Sequence, residues 1–91
     1  MFIASVRVMF KTTVNDPQGA TIARALGRLG FDEVASVRTG KVFEIQLKES
    51  NPDRADLLVQ DMCSKLLANT VIEQYEYSLR AVDDYPENNL G

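Results

Sequence analysis

The sequence contains no histidine, and Cys63 is the only cysteine among its 91 residues. Histidine is the side chain that most often acts as acid or base near neutral pH, and a cysteine nucleophile usually needs a histidine to activate it. A Cys/His metal site and an internal disulfide are also excluded, because each needs more of these residues. The composition argues against a self-sufficient enzyme and favours a role in binding or assembly.

The chain also lacks a basic cluster and a long apolar run. Its net charge is -3, and its ten lysines and arginines are scattered from Arg7 to Arg80, so no basic surface is predicted that would follow a phosphate backbone. The N-terminal segment alternates and carries Arg7, which is unlike a signal peptide or a membrane span. We expect no nucleic-acid or membrane partner. The single cysteine favours the reducing cytoplasm.

The length and composition are those of one small globular domain, with 45% apolar and 25% charged residues. A domain of this size buries a modest core, so association with a partner often adds to its stability. We therefore expect a single domain over residues 1–80 that self-associates. Residues 81–91 are acidic and polar, and we expect them to form a tail that adds little to the core.

The first part of the chain predicts a strand followed by a helix. Apolar and polar residues alternate over residues 2–11, which is typical of a strand with one buried face. Asp16-Pro17 then starts a helix over 17–29, because aspartate accepts a hydrogen bond from a free N–H and proline suits the first turn. Gly30 is expected to end this helix in a left-handed conformation. Its apolar stripe consists of Ile22, Leu26 and Leu29.

The middle of the chain, residues 33–48, carries two apolar runs separated by Thr39-Gly40-Lys41. This pattern is typical of a hairpin or of one sharply bent strand, and the second run is the clearer strand. Asn51-Pro52 repeats the helix-start chemistry and predicts a helix over 52–68. Asn69 is expected to stop that helix in a left-handed conformation. A final strand then places Val71, Tyr75, Tyr77 and Leu79 on one side.

The order strand, helix, strand, strand, helix, strand is that of the α+β ferredoxin-like βαββαβ fold. We expect both helices on one face of an antiparallel sheet, with Phe31 closing one end of the core. The opposite face would stay open, and the domain would oligomerise through it unless its apolar residues are ordinary surface residues. The apolar residues expected on the open face are Ile3, Met9, Val42 and Ile72.

Two motifs are candidates for contact with a partner subunit. Asp16-Pro17-Gln18-Gly19 is either a helix cap or a helix N-terminus offered to an anion or a partner chain, to which Gly19 allows close approach. In the second motif, Arg38 and Lys41 flank Gly40. This is either a solvated hairpin with a left-handed Gly40 or a cationic contact to a phosphate or carboxylate. The candidate contact residues are Asp16, Gln18, Gly19, Arg38, Gly40 and Lys41.

The other reactive side chains suggest no catalytic site. Cys63 lies beside Met62 on the apolar side of the second helix, which indicates a buried structural thiol rather than a nucleophile. The carboxylate pairs Asp32-Glu33 and Asp83-Asp84 fall in predicted turns or tail, where solvated charge is the ordinary state. We predict no catalytic, cofactor-binding or metal-binding residue in this chain.

Three stretches together resemble PurS, the small subunit of phosphoribosylformylglycinamidine (FGAM) synthase. They are the Asp16-Pro17-Gln18-Gly19 helix start, the Leu29-Gly30-Phe31 junction leading into Val37-Arg38-Thr39-Gly40-Lys41, and the run from Cys63 to Glu73. The resemblance spans about residues 2–80. The sequence departs from the family pattern at Thr70, where proline is common, and in its longer tail.

The resemblance implies a non-catalytic accessory subunit of an ATP-dependent ligase in purine biosynthesis. It would join a glutaminase (PurQ-type) subunit to a synthetase (PurL-type) subunit, so that ammonia from glutamine converts formylglycinamide ribonucleotide (FGAR) to FGAM. ATP, Mg and glutamine would be used by those partner subunits, and the chain itself would form a dimer or tetramer. No active-site residue is carried over.

Two other classes of protein have the same order of strands and helices. One is an ACT-like regulatory domain that binds a small molecule, although such domains usually accompany an enzyme domain. The other is a stand-alone enzyme such as an acylphosphatase or a cofactor-free oxygenase. Against it, the first strand-helix connection has no arginine-bearing phosphate loop and the chain has no histidine.

Overall fold

Three strands and two helices build the domain in the computed structural model, which describes residues 1–83. The strands form one antiparallel sheet in the order β2-β1-β3, so β1 is central. Val6 of β1 lies opposite Phe43 of β2 and Tyr77 of β3. The elements are β1 (Phe2–Phe10), α1 (Pro17–Arg28), β2 (Gly40–Leu47), α2 (Pro52–Met62) and β3 (Glu73–Ala81).

The hydrophobic core lies between α2 and one face of β1. The alternation predicted for β1 is confirmed, because its even-numbered residues up to Val8 are buried. On the helix side the core is completed by Ala55 and Val59, one turn apart on α2, and by Cys63 just beyond it. The period of two in the strand and the helical period of α2 thus place apolar side chains against each other.

The predicted helix starts are confirmed by their hydrogen bonds. Asn51 Oδ1 accepts from the backbone N of Asp53 at 2.9 Å and of Arg54 at 3.1 Å, which caps α2. At the end of α1, Gly30 has φ +96°, a conformation that residues with a Cβ rarely adopt. This turn lets the N–H of Phe31 donate to the carbonyl of Leu26, so the helix ends where the sequence predicts.

The fourth predicted strand does not form within residues 1–83. The first apolar run of the middle segment, residues 34–37, has no strand partner, so the observed order is βαβαβ. The cause lies at the end of that run, where Thr39 donates to the Asp16 carboxylate and the Arg38 guanidinium donates to the Phe10 carbonyl. These bonds hold the run beside the start of α1. The antiparallel sheet and the two helices agree with the predicted α+β class.

The expectation that both helices cover the sheet is wrong for α1. Among the described residues, none from α1 belongs to the core, and Leu29 just after it is 73% exposed. Phe31, expected to close the core, is 52% exposed. The radius of gyration is 16.9 Å, whereas a compact chain of this length has about 12 Å. The helix α1 therefore projects from the sheet.

The connection between α2 and β3 differs from the prediction. The helix continues into a π-helical turn, Cys63–Leu67, which the N–H of Ala68 closes by donating to the Cys63 carbonyl at 3.0 Å. No residue other than glycine has a positive φ in the described range, so the left-handed stop predicted at Asn69 is wrong. The strand β3 begins later than expected, at Glu73, and Val71 is exposed in the preceding turn.

The sheet face opposite α2 is more polar than predicted. Val42 is exposed there, but Ile3 is buried and Met9 is half-buried. Ile72 lies before β3 begins, so it is not part of that face. An ion pair between Arg7 and Glu76 crosses from β1 to β3 on this side. The open face therefore offers less apolar surface for self-association than the sequence suggested.

Two further predictions concern the ends and the environment of the chain. A tail is predicted for residues 81–91, and its part from residue 84 onward lies outside the described residues. The domain boundary at residue 80 stays a prediction. None of the helices in residues 1–83 combines the length and the apolar character that crossing a membrane requires.

Candidate functional site

The two candidate motifs meet at one place, which we call the junction: Asp16, Gly19, Val37, Arg38 and Thr39. Asp16 Oδ1 accepts from the backbone N of Gly19 at 2.9 Å, which is the predicted helix cap. Asp16 Oδ2 accepts from the backbone N of Thr39 at 2.7 Å, and the Thr39 hydroxyl lies 3.0 Å from the same oxygen. One carboxylate thus joins the start of α1 to the residue before β2.

These hydrogen bonds set the charge state of the junction. The backbone N–H of Thr39, then that of Gly19, lowers the pKa of Asp16 below its ordinary value, because both bonds stabilise the ionised carboxylate. Partial desolvation opposes this shift, and the charge of Arg38 contributes a smaller lowering. The carboxylate is therefore ionised near neutral pH and acts as a fixed acceptor.

Gly19 is required at the junction by close packing. A Cβ built on Gly19 would lie 2.2 Å from the Val37 carbonyl oxygen and 2.9 Å from Asp16 Oδ2. Both distances are shorter than non-bonded atoms tolerate. The close approach predicted for Gly19 exists, but the approaching backbone belongs to the same chain. The capping interpretation of this motif is therefore correct within the domain.

Gly40 has a different role from the predicted turn. It does not have a positive φ, so the left-handed hairpin at this position is wrong. Gly40 instead opens β2 opposite Met9, and a Cβ there would lie 2.6 Å from the Val8 carbonyl oxygen. Glycine is needed because β2 approaches the backbone of β1 closely at this end.

The two candidate cations have separate neighbours. The Arg38 guanidinium donates to the Phe10 carbonyl, where β1 ends. Lys41 Nζ lies 3.8 Å from Glu73 Oε2, and about half of the Lys41 side chain is exposed. They therefore do not form one phosphate-binding pair, and each retains an exposed part that a partner subunit can contact.

A groove of about 490 Å³ runs beside the junction, between α1 and residues 35–38. Ala20 and Ala23 line its helix side, and Arg24 and Arg38 contribute positive charge. Gln18 is exposed on the first turn of α1. Of the candidate residues, Asp16 and Arg38 line this groove, and Gly19 packs against the carbonyl of Val37, which also lines it. Gln18, Gly40 and Lys41 lie outside the groove lining.

Sequence reasoning missed the roles of Thr39 and Glu73. The backbone N–H of Thr39 donates a hydrogen bond to the Asp16 carboxylate. No local sequence pattern links residues so far apart. Glu73 interrupts the apolar pattern of β3, yet its carboxylate is largely buried and accepts from the backbone N of Asn69 at 2.7 Å. That interruption was the sole indication in the sequence that Glu73 has a specific partner.

The other reactive side chains are buried in the core or bonded to neighbouring side chains. Cys63 is fully buried in the core, and burial raises the pKa of its thiol. The Tyr77 hydroxyl donates to Asp56 Oδ1 at 2.7 Å, which ties β3 to α2 and raises the pKa of Tyr77. Over residues 1–83, no three cysteine or acidic residues cluster in a way that could hold a metal ion. The geometry of these groups suits packing and hydrogen bonding within the domain.

Comparison with known sequences identifies the family. Residues 3–81 match the model of the PurS family, phosphoribosylformylglycinamidine (FGAM) synthase. The chain is 45% identical over 82 residues to the FGAM synthase subunit PurS of Bacillus subtilis, covering 90% of this chain and 96% of that one. It is 40% identical over 83 residues to the PurS subunit of Methanocaldococcus jannaschii, covering 91% and 100%.

Solved structures give the same result. The crystal structure of B. subtilis PurS matches with a TM-score of 0.82 and 44% identity, covering 89% of this chain and 100% of that one. A chain in the structure of PurLQS from Thermotoga maritima matches with a TM-score of 0.79 and 32% identity, covering 87% and 96%. The resemblance inferred from the three sequence stretches is confirmed, and the chain belongs to the PurS family of FGAM synthase subunits.

Proposed function

We propose that this chain bridges the glutaminase and the ATP-dependent synthetase subunits of FGAM synthase, so that ammonia from glutamine converts FGAR to FGAM. The observation that carries the proposal is the match, along nearly the whole chain, to a chain of the T. maritima PurLQS structure. The M. jannaschii relative is likewise described as a subunit of formylglycinamide ribonucleotide amidotransferase in purine biosynthesis. The family match favours this function over an ACT-like regulatory domain.

In this proposal, the partner subunits carry out the chemical steps. The glutaminase subunit would bind glutamine, the synthetase subunit would bind ATP and Mg, and this chain would bind no cofactor. The absence of histidine and the burial of Cys63 support that division, because they leave the chain without the usual nucleophile or base. The reaction would take place in the cytoplasm, with this chain present as a dimer or tetramer.

The junction and its exposed neighbours are the proposed contact surface. Asp16, Gly19 and Gly40 fix the backbone there, and the side chains of Gln18, Arg38 and Lys41 would meet a partner subunit. Arginine suits such a contact, because its planar guanidinium can donate two hydrogen bonds to one carboxylate. The groove beside α1 gives this surface a concave part next to Arg38.

Co-purification of the full chain with both partner subunits, in the presence of glutamine and Mg-ADP, tests the proposal. We expect a three-component complex from wild-type chain and much weaker recovery of the partners with the double variant Arg38→Ala, Lys41→Ala. A matched control is Arg54→Ala, Lys65→Ala, which removes two exposed cations away from the junction. Failure of wild type to recover either partner would contradict the bridging role. Equal recovery by the two double variants would limit Arg38 and Lys41 to a structural role.

A further inference from the structure

The end of the central strand β1 is surrounded by positive charge. The Arg38 guanidinium donates to the carbonyl of Phe10, the last residue of β1, and Lys11 follows directly. Lys41 lies on the neighbouring strand β2, opposite Val8. Neither Lys11 nor Arg38 forms an ion pair with a carboxylate of residues 1–83. This end of the sheet therefore presents cations that the domain itself does not neutralise.

The two carboxylates near these cations are engaged within the chain. Glu73 Oε1 accepts from the backbone N of Asn69 at 2.7 Å, and the Glu73 side chain is only 13% exposed. Both oxygens of Asp16 accept from backbone N–H groups at the junction. The Lys41 side chain, in contrast, is 57% exposed. A partner that approaches this end of the sheet therefore meets positive charge before negative charge.

Beside these cations, the turn before β3 exposes two branched apolar residues. The Lys11 N–H donates to the Ile72 carbonyl at 2.9 Å, which fixes this turn against the end of β1. Val71 is 78% exposed, Ile72 is 37% exposed, and Val71 does not belong to the core of residues 1–83. Turns ordinarily use glycine, asparagine, aspartate or serine. The folding of the domain therefore gives no reason for a valine at position 71.

Hydrogen bonds centred on Asn69 hold this turn in one conformation. The Asn69 carbonyl accepts from the backbone N of Ile72 at 3.0 Å and of Glu73 at 2.7 Å. Asn69 Oδ1 accepts from the backbone N of Val71 at 3.2 Å, and the Asn69 N–H donates to the Glu73 carboxylate. A turn that is already ordered loses little conformational entropy on binding, which suits it to contact another protein.

We propose that these residues form a docking surface, the strand-end surface, for a partner subunit of FGAM synthase that has an apolar pocket bordered by carboxylates. Its members are Lys11, Arg38, Lys41, Val71 and Ile72. Protein interfaces commonly combine an apolar centre with a polar rim, and complementary charge selects the partner. Two copies of this chain that met here about a two-fold axis would place cation against cation, which disfavours a second copy as the occupant. The inference rests on the proposed bridging role and adds Lys11, Val71 and Ile72 to its contact residues.

Binding of the full chain to each partner subunit, measured by biolayer interferometry with glutamine and Mg-ADP present, tests the proposal. We expect Val71→Asp to raise the Kd for at least one subunit by at least about tenfold, because it places a negative charge in the apolar pocket beside the partner's carboxylates. Val71→Lys carries the opposite charge and should weaken binding clearly less. Leu57→Asp is the matched control, because Leu57 is an exposed leucine on α2, and it should bind like wild type.

Far-UV circular dichroism and sedimentation velocity show whether each variant folds and keeps the oligomeric state of wild type. If Val71→Asp does not fold, Lys11→Glu replaces it and should likewise raise the Kd by about tenfold. Equal weakening by Val71→Asp and Val71→Lys would overturn the proposal, since the pocket would then lack carboxylates. Equal weakening by Leu57→Asp would also overturn it, and so would a Val71→Asp chain that folds with a changed oligomeric state.

The inference and the bridging role fail in different ways. If wild type binds a partner subunit and the folded Val71→Asp variant binds it equally well, the strand-end surface is not the contact and the bridging role stands. If wild type binds neither subunit, the bridging role fails and the strand-end surface fails with it.

Discussion

Asp16 and Thr39 are 23 positions apart in sequence, yet the Asp16 carboxylate accepts the backbone N–H of Thr39 at 2.7 Å. The other carboxylate oxygen caps α1 through Gly19. One side chain therefore fixes both where α1 begins and where the chain returns to enter β2. The position of α1 relative to the returning residues 31–39 depends on this contact together with the hydrogen bond from Arg38 to the Phe10 carbonyl.

Replacing Asp16 by alanine should cost more stability than replacing the second helix cap. The Asn51→Ala variant loses an ordinary cap, worth about 1 kcal/mol in the free energy of unfolding. The Asp16→Ala variant loses its cap and also leaves the Thr39 N–H without its acceptor. Urea unfolding of both variants measures the difference. Equal losses would show that the contact with Thr39 adds nothing to stability.

The contribution of the Asp16 carboxylate to the free energy of unfolding should disappear in acid. Its pKa is lowered in the folded chain from an ordinary value of 3.8, so the unfolded chain binds the proton more tightly and stability rises with pH. The stabilisation is complete above the unfolded pKa and is lost as the pH falls through the folded pKa. Comparing wild type with Asp16→Asn in urea, we expect the stability gap to narrow below about pH 4. A gap that stays constant from neutral pH to about pH 3 would contradict this assignment.

Replacing either of two glycines of α1 by alanine should change the free energy of unfolding in opposite directions. At Gly19 the added methyl group would press on the Val37 carbonyl, so we expect Gly19→Ala to lose about 1–3 kcal/mol despite better helix propensity. At Gly27 a Cβ meets nothing within 4 Å, and Gly27→Ala should gain up to about 1 kcal/mol. Thermal or urea unfolding of the pair provides the test. A stabilised Gly19→Ala would mean that α1 and the returning segment do not pack closely.

The sequence predicted the parts of this fold that depend on neighbours along the chain. The alternation in β1 identified the buried face, because side chains in a strand point to opposite sides in turn. Asp16 and Asn51 were predicted as caps, since a capping side chain bonds to backbone only two or three residues away. Gly30 ended α1 for an equally local reason.

The parts that sequence did not predict depend on contacts between distant segments. Residues 34–37 have the apolar pattern of a strand, but Thr39 and Arg38 bind the ends of other elements and draw this run away from the sheet. The π-helical turn that begins at Cys63 keeps the apolar pattern of a helix, so the pattern gave no sign of it. The sequence indicated both motifs that carry the candidate contact residues. It did not indicate that the two motifs meet in the folded chain.

The Cys63 thiol should be inert in the folded chain. It is fully buried, and burial raises its pKa, so both access and the thiolate fraction are low. We expect slow reaction with dithionitrobenzoate in buffer and fast reaction in concentrated urea. A Ser64→Cys variant, with the new thiol at an exposed neighbouring position, controls for reagent activity. Rapid labelling of native wild type would contradict the placement of Cys63 in the core.

The bridging role is tested most directly by measuring FGAM formation from FGAR with the glutaminase and synthetase subunits, with and without this chain. The nitrogen donor is either glutamine or added ammonium salt, at saturating ATP and Mg. We predict that omitting the chain abolishes most of the glutamine-dependent rate and leaves the ammonium-dependent rate largely intact, because the chain joins the subunits and performs no chemistry. A glutamine-dependent rate that is unchanged without the chain would contradict the account.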